Sequence, residues 1–217
     1  MHAWLELTVV LLILANFRML GTSRVNVCIQ VVAGQALLLA VAALLANLGN
    51  LTPQLLIMVA VSTVLKAGVM PAMLRRAVRE SGASREVEPF IGFTTSLLAG
   101  AALLGLCFYL AAALDRATLT TMPGSGLLIP VAMFTIITGL LVIVSRRKAV
   151  TQVAGYLTME NGIYAFGMAF AIREPLLVAM GVLLDVFAAV FVMGIAIYHI
   201  SREFDHMDTD RLAELKD

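Results

Sequence analysis

Long apolar stretches alternate with short polar ones along the whole chain. Seven of them, 3–20, 25–47, 53–74, 90–114, 127–145, 149–172 and 175–200, are long and apolar. Each has close to the ~20 residues that a helix needs to cross a hydrocarbon core of ~30 Å. The pattern predicts an all-α integral membrane bundle of seven transmembrane helices. Pro53 and Pro175 open the third and seventh runs, where a missing N–H costs a helix little. Pro71 lies near the end of the third. The segments 75–89 (RRAVRESGASREVEP) and 115–126 (DRATLTTMPGSG) read as polar loops. The charged tail after Ile200 contains DTDRLAELKD, which reads as a short amphipathic surface helix. Residues 1–217 are expected to form a single transmembrane domain. Within it, 1–74 is a first three-helix unit, 90–114 a linking helix, 127–200 a second three-helix unit and 201–217 a tail.

Composition agrees with this pattern. The chain is 61% hydrophobic and 13% charged, about half the charged fraction of a soluble domain, where it is near a quarter. A net charge of +1 gives no footprint for nucleic acid. The bilayer is the expected partner. Cys28 and Cys107 each stand alone in an apolar run, without the paired spacing of a metal or cluster site. No metal and no cofactor is expected in this chain, and both thiols read as small packing residues. The first run carries its positive charges after it, at Arg18 and Arg24. That is the reverse of a secretory leader, so a first helix that stays is expected.

Lysine and arginine set the expected orientation. Of the 15, twelve fall on the side reached after odd-numbered runs, Arg116 and Arg173 fall on the other, and Lys66 lies inside a run. The N-terminus is therefore expected outside and the C-terminus in the cytoplasm, in a bacterial or archaeal inner membrane. Runs one to three and five to seven also follow one plan. Each triplet has a basic turn, a helix with a central polar residue (Gln35; Glu160), a proline in the outer gap (Pro53; Pro175) and a charge deep in its last helix (Lys66; Asp185). This suggests a parallel internal repeat of the kind found in transporters.

Lys66, Glu160 and Asp185 carry the candidate chemistry. They lie nine residues before Arg75, twelve after Lys148 and ten after Pro175, or roughly 13, 18 and 15 Å from those edges at the helical rise. Each charge placed so deep costs about 2.5–3.5 kcal/mol to insert. Burial penalises an isolated charge and a partner restores it, and groups held between those limits exchange protons near neutral pH. The expected role is a proton relay. Gln152, Tyr156, Glu160 and Tyr164 recur at four-residue spacing, with Thr158 and Asn161 as further donors. Gly181, Ala188 and Ala189 give Asp185 a small-residue face for a neighbouring helix. Ser62 and Thr63 precede Lys66 by one turn, and His199 lies near the inner mouth.

Each of these groups also has a plainer reading. Lys66 can snorkel to the inner interface, or the three charges can form a static pair or triad. Tyr156 and Tyr164 can be packing. Gln35 can be an interhelical hydrogen-bond partner, and His199 and Glu6 ordinary exposed residues.

From about Ile136 onward the chain resembles subunit K of bacterial complex I. The resemblance rests on the double-basic turn and acidic helix of SRRKAVTQVAGYLTMENGIYAF, on GVLLDVFAAVFV with Asp185 where that family usually has Glu, and on the charged tail SREFDHMDTDRLAELKD. The whole chain resembles hydrogenase-4 component E, a membrane subunit of formate-hydrogenlyase-type complexes. Here the shared features are Ser62-Thr63-Val64-Leu65-Lys66, the SRRK turn and the MENG core at Met159–Gly162. The resemblance implies a non-catalytic, proton-translocating subunit with Glu160 and Asp185 as buried acids and Lys66 beside them. It implies antiporter-like membrane subunits, a subunit-H-like anchor and a soluble arm carrying nickel–iron and iron–sulfur centres as partners. Two other readings stay open: a small subunit of a multisubunit cation/proton antiporter, and a structural assembly subunit.

Overall fold

The computed structural model describes residues 2–49, 52–81, 90–118 and 126–170. Among them the secondary structure is helical, with no strands. The elements are α1 (His2–Gly21), α2 (Val25–Ala46), α3 (Pro53–Thr63), a π-helical segment (Val64–Val69), α4 (Met70–Ser81), α5 (Phe93–Thr118), α6 (Leu128–Ser145) and α7 (Ala149–Phe170). Five stretches are long and apolar enough to cross a membrane: Trp4–Gly21, Val25–Ala46, Pro53–Arg79, Phe93–Ala113 and Leu128–Ser145. α7 is 22 residues long but is not among these five; Gln152, Thr158, Glu160 and Asn161 dilute its apolar character. The seventh predicted run, with Asp185 and His199, and the tail lie outside the described residues.

Two boundaries differ from the sequence pattern. Residues 75–81, expected in a polar loop, continue α4. Leu74 and Val78 are buried one turn apart while Arg75, Arg76 and Arg79 face outward, so one apolar stripe carries the helix past the last all-apolar turn. Pro71 does not end a helix. It sits in the first turn of α4, where a proline is tolerated, directly after the π-helical segment. The Met70 N–H bonds back to the Leu65 carbonyl, the wide turn that joins the two α-helical pieces into one rod. At the far end Thr52 caps α3, its side chain accepting from the Leu55 N–H at 3.3 Å, with Pro53 in the first turn.

α6 and α7 form the closest pair, and glycine makes this possible. A Cβ on Gly139 would meet the backbone of Met159 and Gly155, and one on Gly162 would come within 2.6 Å of the Ile136 nitrogen. Such close approach suits membrane helices, which gain association energy from packing rather than from expulsion of water. α1 and α2 pack on this pair, α3–α4 lies against α2, and α5 lies at the edge against α1 and α6. The outer faces are apolar: Ile57, Val64, Leu98 and Val144 are all more than 60% exposed, as lipid contact requires.

The interior is layered. One apolar cluster joins the end of α1, the start of α2, α4, the end of α6 and the start of α7, through Leu20, Ile29, Leu74, Val142 and Leu157. A second lies at the opposite end, through Leu12, Leu39, Val131 and Ala165. Between the two, at one depth, lie the buried polar residues Asn16, Gln35, Lys66, Thr135, Thr138, Glu160 and Asn161.

The glycine seam gives a direct test. Gly139→Ala should destabilise the protein by about 1–3 kcal/mol, because backbone rather than a flexible side chain stands in the way. Gly105→Ala, with nothing within 4 Å of the added methyl, should be neutral. Thermal unfolding of the two variants in detergent measures the difference.

Candidate functional site

Lys66 and Glu160 meet in the polar layer. The Lys66 Nζ is 3.2 Å from Glu160 Oε1, and the two side chains are 7% and 2% exposed. Lys66 does not snorkel. Its ammonium turns inward and also lies 4.9 Å from the centroid of the Tyr164 ring, within the range of a cation–π contact. Lys66 stands on the π-helical segment, and Glu160 and Tyr164 stand one turn apart on α7. The glycine face of α7 is turned to α6. Glu160 lies about 150° round the helix from it, at 100° per residue, and so faces α2 and the π-helical segment.

An ion pair in an apolar layer is costly unless both members stay partnered. The surroundings supply polar neighbours. Asn161 Nδ2 donates to the Val32 carbonyl at 3.3 Å, tying α7 to α2. Thr158 Oγ1 bonds the Ala154 carbonyl of its own helix at 3.0 Å. A small cleft with space of about 10 Å³, enough for one water, opens beside Lys66; Ser62, Thr63, Asn161, Tyr164, Ala36 and Ala40 line it.

A second polar thread runs beside the pair. Gln35 Nε2 donates to Asn16 Oδ1 at 2.8 Å. Asn16 Nδ2 donates to Thr135 Oγ1 at 2.8 Å, and Thr135 donates to the Val131 carbonyl at 2.7 Å. Three helices are thus joined by side chains that are 0–2% exposed. Gln35 is an interhelical hydrogen-bond partner here. Asn16 and Thr135 were not singled out from the sequence, although an Asn inside an apolar run is itself a signal of an interior-facing position.

Tyr156 stays within electrostatic reach of Glu160 and Lys66, whereas other expected positions separate from the pair. Gln152 donates to the Arg146 carbonyl at 2.8 Å. Tyr156 packs against the apolar cluster that contains Val153 and Leu157. Glu6 is exposed. Cys28 and Cys107 are buried free thiols. Among the described residues, no group of three His, Cys, Asp or Glu is placed to hold a metal ion. Asp185 and His199 lie outside the described residues.

Arg146 belongs to the basic SRRK turn, where the sequence pattern places a membrane edge, yet it is 1% exposed. Its Nη2 donates to the Leu20 carbonyl at 2.7 Å, and its guanidinium carbon lies 4.3 Å from the Phe93 ring centroid. It thus satisfies a carbonyl in the last turn of α1, where the helix dipole favours a cation, and joins α1 to α5 and α6. Arg147, its exposed neighbour, lies over Phe90.

The hydrogenase-4 component E of Escherichia coli K12 is 30% identical over 163 residues, covering 75% of this chain and 74% of that protein. The chain belongs to the hydrogenase-4 component E family. An uncharacterized protein of Mycobacterium tuberculosis is 32% identical over 209 residues, 95% of this chain and 93% of that one. Residues 127–217 match the family described as NADH-ubiquinone/plastoquinone oxidoreductase chain 4L. No solved structure matches. With five apolar helices of spanning length among the described residues, this component E family member is a multi-pass membrane protein. The chain 4L match takes in α6 and α7. Glu160 therefore comes from the part shared with chain 4L, and Lys66 from the part that precedes it.

The Gln35–Asn16–Thr135 thread can be tested by a double-mutant cycle. Asn16→Leu should cost about 1–3 kcal/mol by leaving buried partners unsatisfied. Adding Gln35→Leu should cost less than the sum of the two single changes, with a coupling of about 0.5–3 kcal/mol. Unfolding free energies in detergent give the four corners of the cycle.

Proposed function

We propose that this chain is a non-catalytic, proton-translocating membrane subunit of an energy-converting nickel–iron hydrogenase complex of the hydrogenase-4 type, related to complex I. The observation that carries the reading is the Lys66–Glu160 pair, 3.2 Å apart in the polar layer between two apolar clusters. A bundle that needed only packing would be no less stable with apolar side chains of the same volume there. Ionisable groups inside a membrane bundle mark ion and proton pathways by default.

In this reading Glu160 accepts and releases a proton, and Lys66 biases it: the ammonium stabilises the carboxylate, and its withdrawal favours the acid. Asp185 is the next station. Glu160 precedes and Asp185 follows the expected gap at 173–174 by similar stretches of chain, about 20 and 17 Å at the helical rise. An antiparallel return through 175–200 would bring the two carboxyls to one depth. Tyr164 and Asn161 adjoin the pair and position it, and His199 is assigned to the inner end of the route. The partners would be antiporter-like membrane subunits, a subunit-H-like anchor and a soluble arm carrying the nickel–iron and iron–sulfur centres, with the C-terminus in the cytoplasm. The family name favours hydrogenase over a cation/proton antiporter. Nickel and iron–sulfur content in a complex purified through this chain would decide between them.

The test is Glu160→Gln in the whole complex. The glutamine amide oxygen can still face the ammonium, so the complex should assemble although the subunit is destabilised by up to about 3–5 kcal/mol, and hydrogen evolution from an artificial donor should be retained. Proton translocation into vesicles should fall at least about tenfold. Normal assembly with full proton translocation would refute the relay.

A further inference from the structure

One outer face breaks the apolar pattern of the others. Arg18 of α1 and Asn26 and Gln30 of α2 are exposed. Asn16 of α1 bonds to α6 through Thr135, and Val32 of α2 bonds to α7 through Asn161. Arg18 is two residues after Asn16, and Gln30 is two before Val32. Two residues turn a helix by about 200°, so Arg18 and Gln30 both point away from the α6–α7 pair. Asn26 precedes Gln30 by one turn on the same side of α2. The three therefore share one outer face, flanked by α5 beside α1 and by the α3–α4 rod beside α2.

The depth of this face is what sets it apart. Gln35 stands ten residues from one end of α2 and eleven from the other, so the polar layer lies near mid-span. Asn16 is bonded directly to Gln35. Arg18 is therefore only about 3 Å from that layer, and Gln30 about 8 Å, at the helical rise. Half of a hydrocarbon core is about 15 Å, which leaves about 12 Å between the Arg18 backbone and the headgroups. An arginine side chain does not snorkel that far, and the shorter Gln30 does not cover its own distance. The helix dipole does not hold Arg18 in place either, because the Leu20 carbonyl in the last turn of α1 already accepts from Arg146. Among the described residues, the side chains of Arg18, Asn26 and Gln30 make no hydrogen bond or ion pair. Polar and charged groups at this depth are costly unless they find partners.

We propose that this face of α1 and α2 docks a transmembrane helix of a neighbouring membrane subunit, one that presents a carboxylate to Arg18 and a hydrogen-bonding side chain to Gln30. The chemistry selects the occupant. A guanidinium far from the headgroups is stabilised by an opposite charge that is itself hydrogen-bonded, and amide side chains hydrogen-bond between membrane helices. Lipid tails offer neither. Glu160, the deep acid among the described residues, faces Lys66. Gly34, one turn beyond Gln30, has nothing within 4 Å of an added Cβ, so a second helix can approach closely there. The inference rests on the complex proposed above for its partner, and not on the relay.

The test uses the whole complex in its membrane. Leu37, two turns beyond Gln30 on the same face, is 52% exposed. A photoreactive p-benzoylphenylalanine in place of Leu37 should cross-link, on irradiation, to a transmembrane segment of a co-purifying subunit. That segment should carry an aspartate or glutamate within about two turns of the attachment point. A second measurement uses the double variant Arg18→Leu, Gln30→Leu. The isolated subunit should be at least as stable in detergent as the parent, because both positions are exposed there. Its retention in the purified complex should fall about tenfold or more. Thr94→Leu, exposed on α5 outside this face, should change neither. Parental retention of the double variant, or cross-links only to lipid or to the chain's own 175–200 segment, would overturn the proposal. Proton translocation is not among the readouts, so failure of the relay and failure of this interface are told apart.

Discussion

The bundle is organised around one contact, the ammonium of Lys66 against the carboxylate of Glu160. Either charge alone in an apolar layer would cost several kcal/mol, so the fold must deliver both to one point. The α6–α7 seam does half of this. Gly139, Gly155 and Gly162 let the two backbones touch, which fixes the rotation of α7 and turns Glu160 away from α6. The π-helical segment does the other half. It carries Lys66 at the junction before Pro71, where an α-helix would otherwise meet the proline ring in its interior. π-Helical turns inside α-helices are frequent at functional sites, and here the wide turn bears the charged residue.

The pair belongs to a polar layer held between two dry ones. Asn16, Gln35 and Thr135 tie α1, α2 and α6 together at this depth. Arg146 ties α1 to α5 and α6 at one end. These bonds are structural, and they tie together the helices around the pair. The chain 4L match begins at residue 127, so the lysine and the acid come from different parts of the chain. The family's additional helices thus contribute directly to the polar centre instead of only surrounding a subunit-K-like core.

Much of this was legible in the sequence. Every apolar run that falls within the described residues is a helix, because a run of about 20 apolar residues has few other fates. Lys66 and Glu160 stood out for the same reason that they pair: deep charges must find partners. What was not legible depends on three-dimensional neighbours. The extension of α4 through Ser81 comes from the burial of Leu74 and Val78 among arginines. Pro71 looked like a helix end because the π-helical junction that accommodates it leaves no composition signal. Arg146 looked like one of three equivalent basic residues in SRRK. Only packing shows that it reaches the last turn of α1 while Arg147 stays outside. The polar stripe of α7 divided for a similar reason: Glu160 and Tyr164 face Lys66, and Gln152 faces the Arg146 carbonyl.

Exchanging the two charges tests the central contact most directly. Lys66→Glu and Glu160→Lys each place two like charges in the polar layer, and each should cost the folded subunit about 3–5 kcal/mol, the scale of breaking a buried pair. The double exchange restores opposite charges. The amount of folded subunit in the membrane and its unfolding midpoint should then return most of the way to those of the parent protein. Single variants as stable as the parent, or a double variant no better than either single, would show that the fold does not depend on this pair.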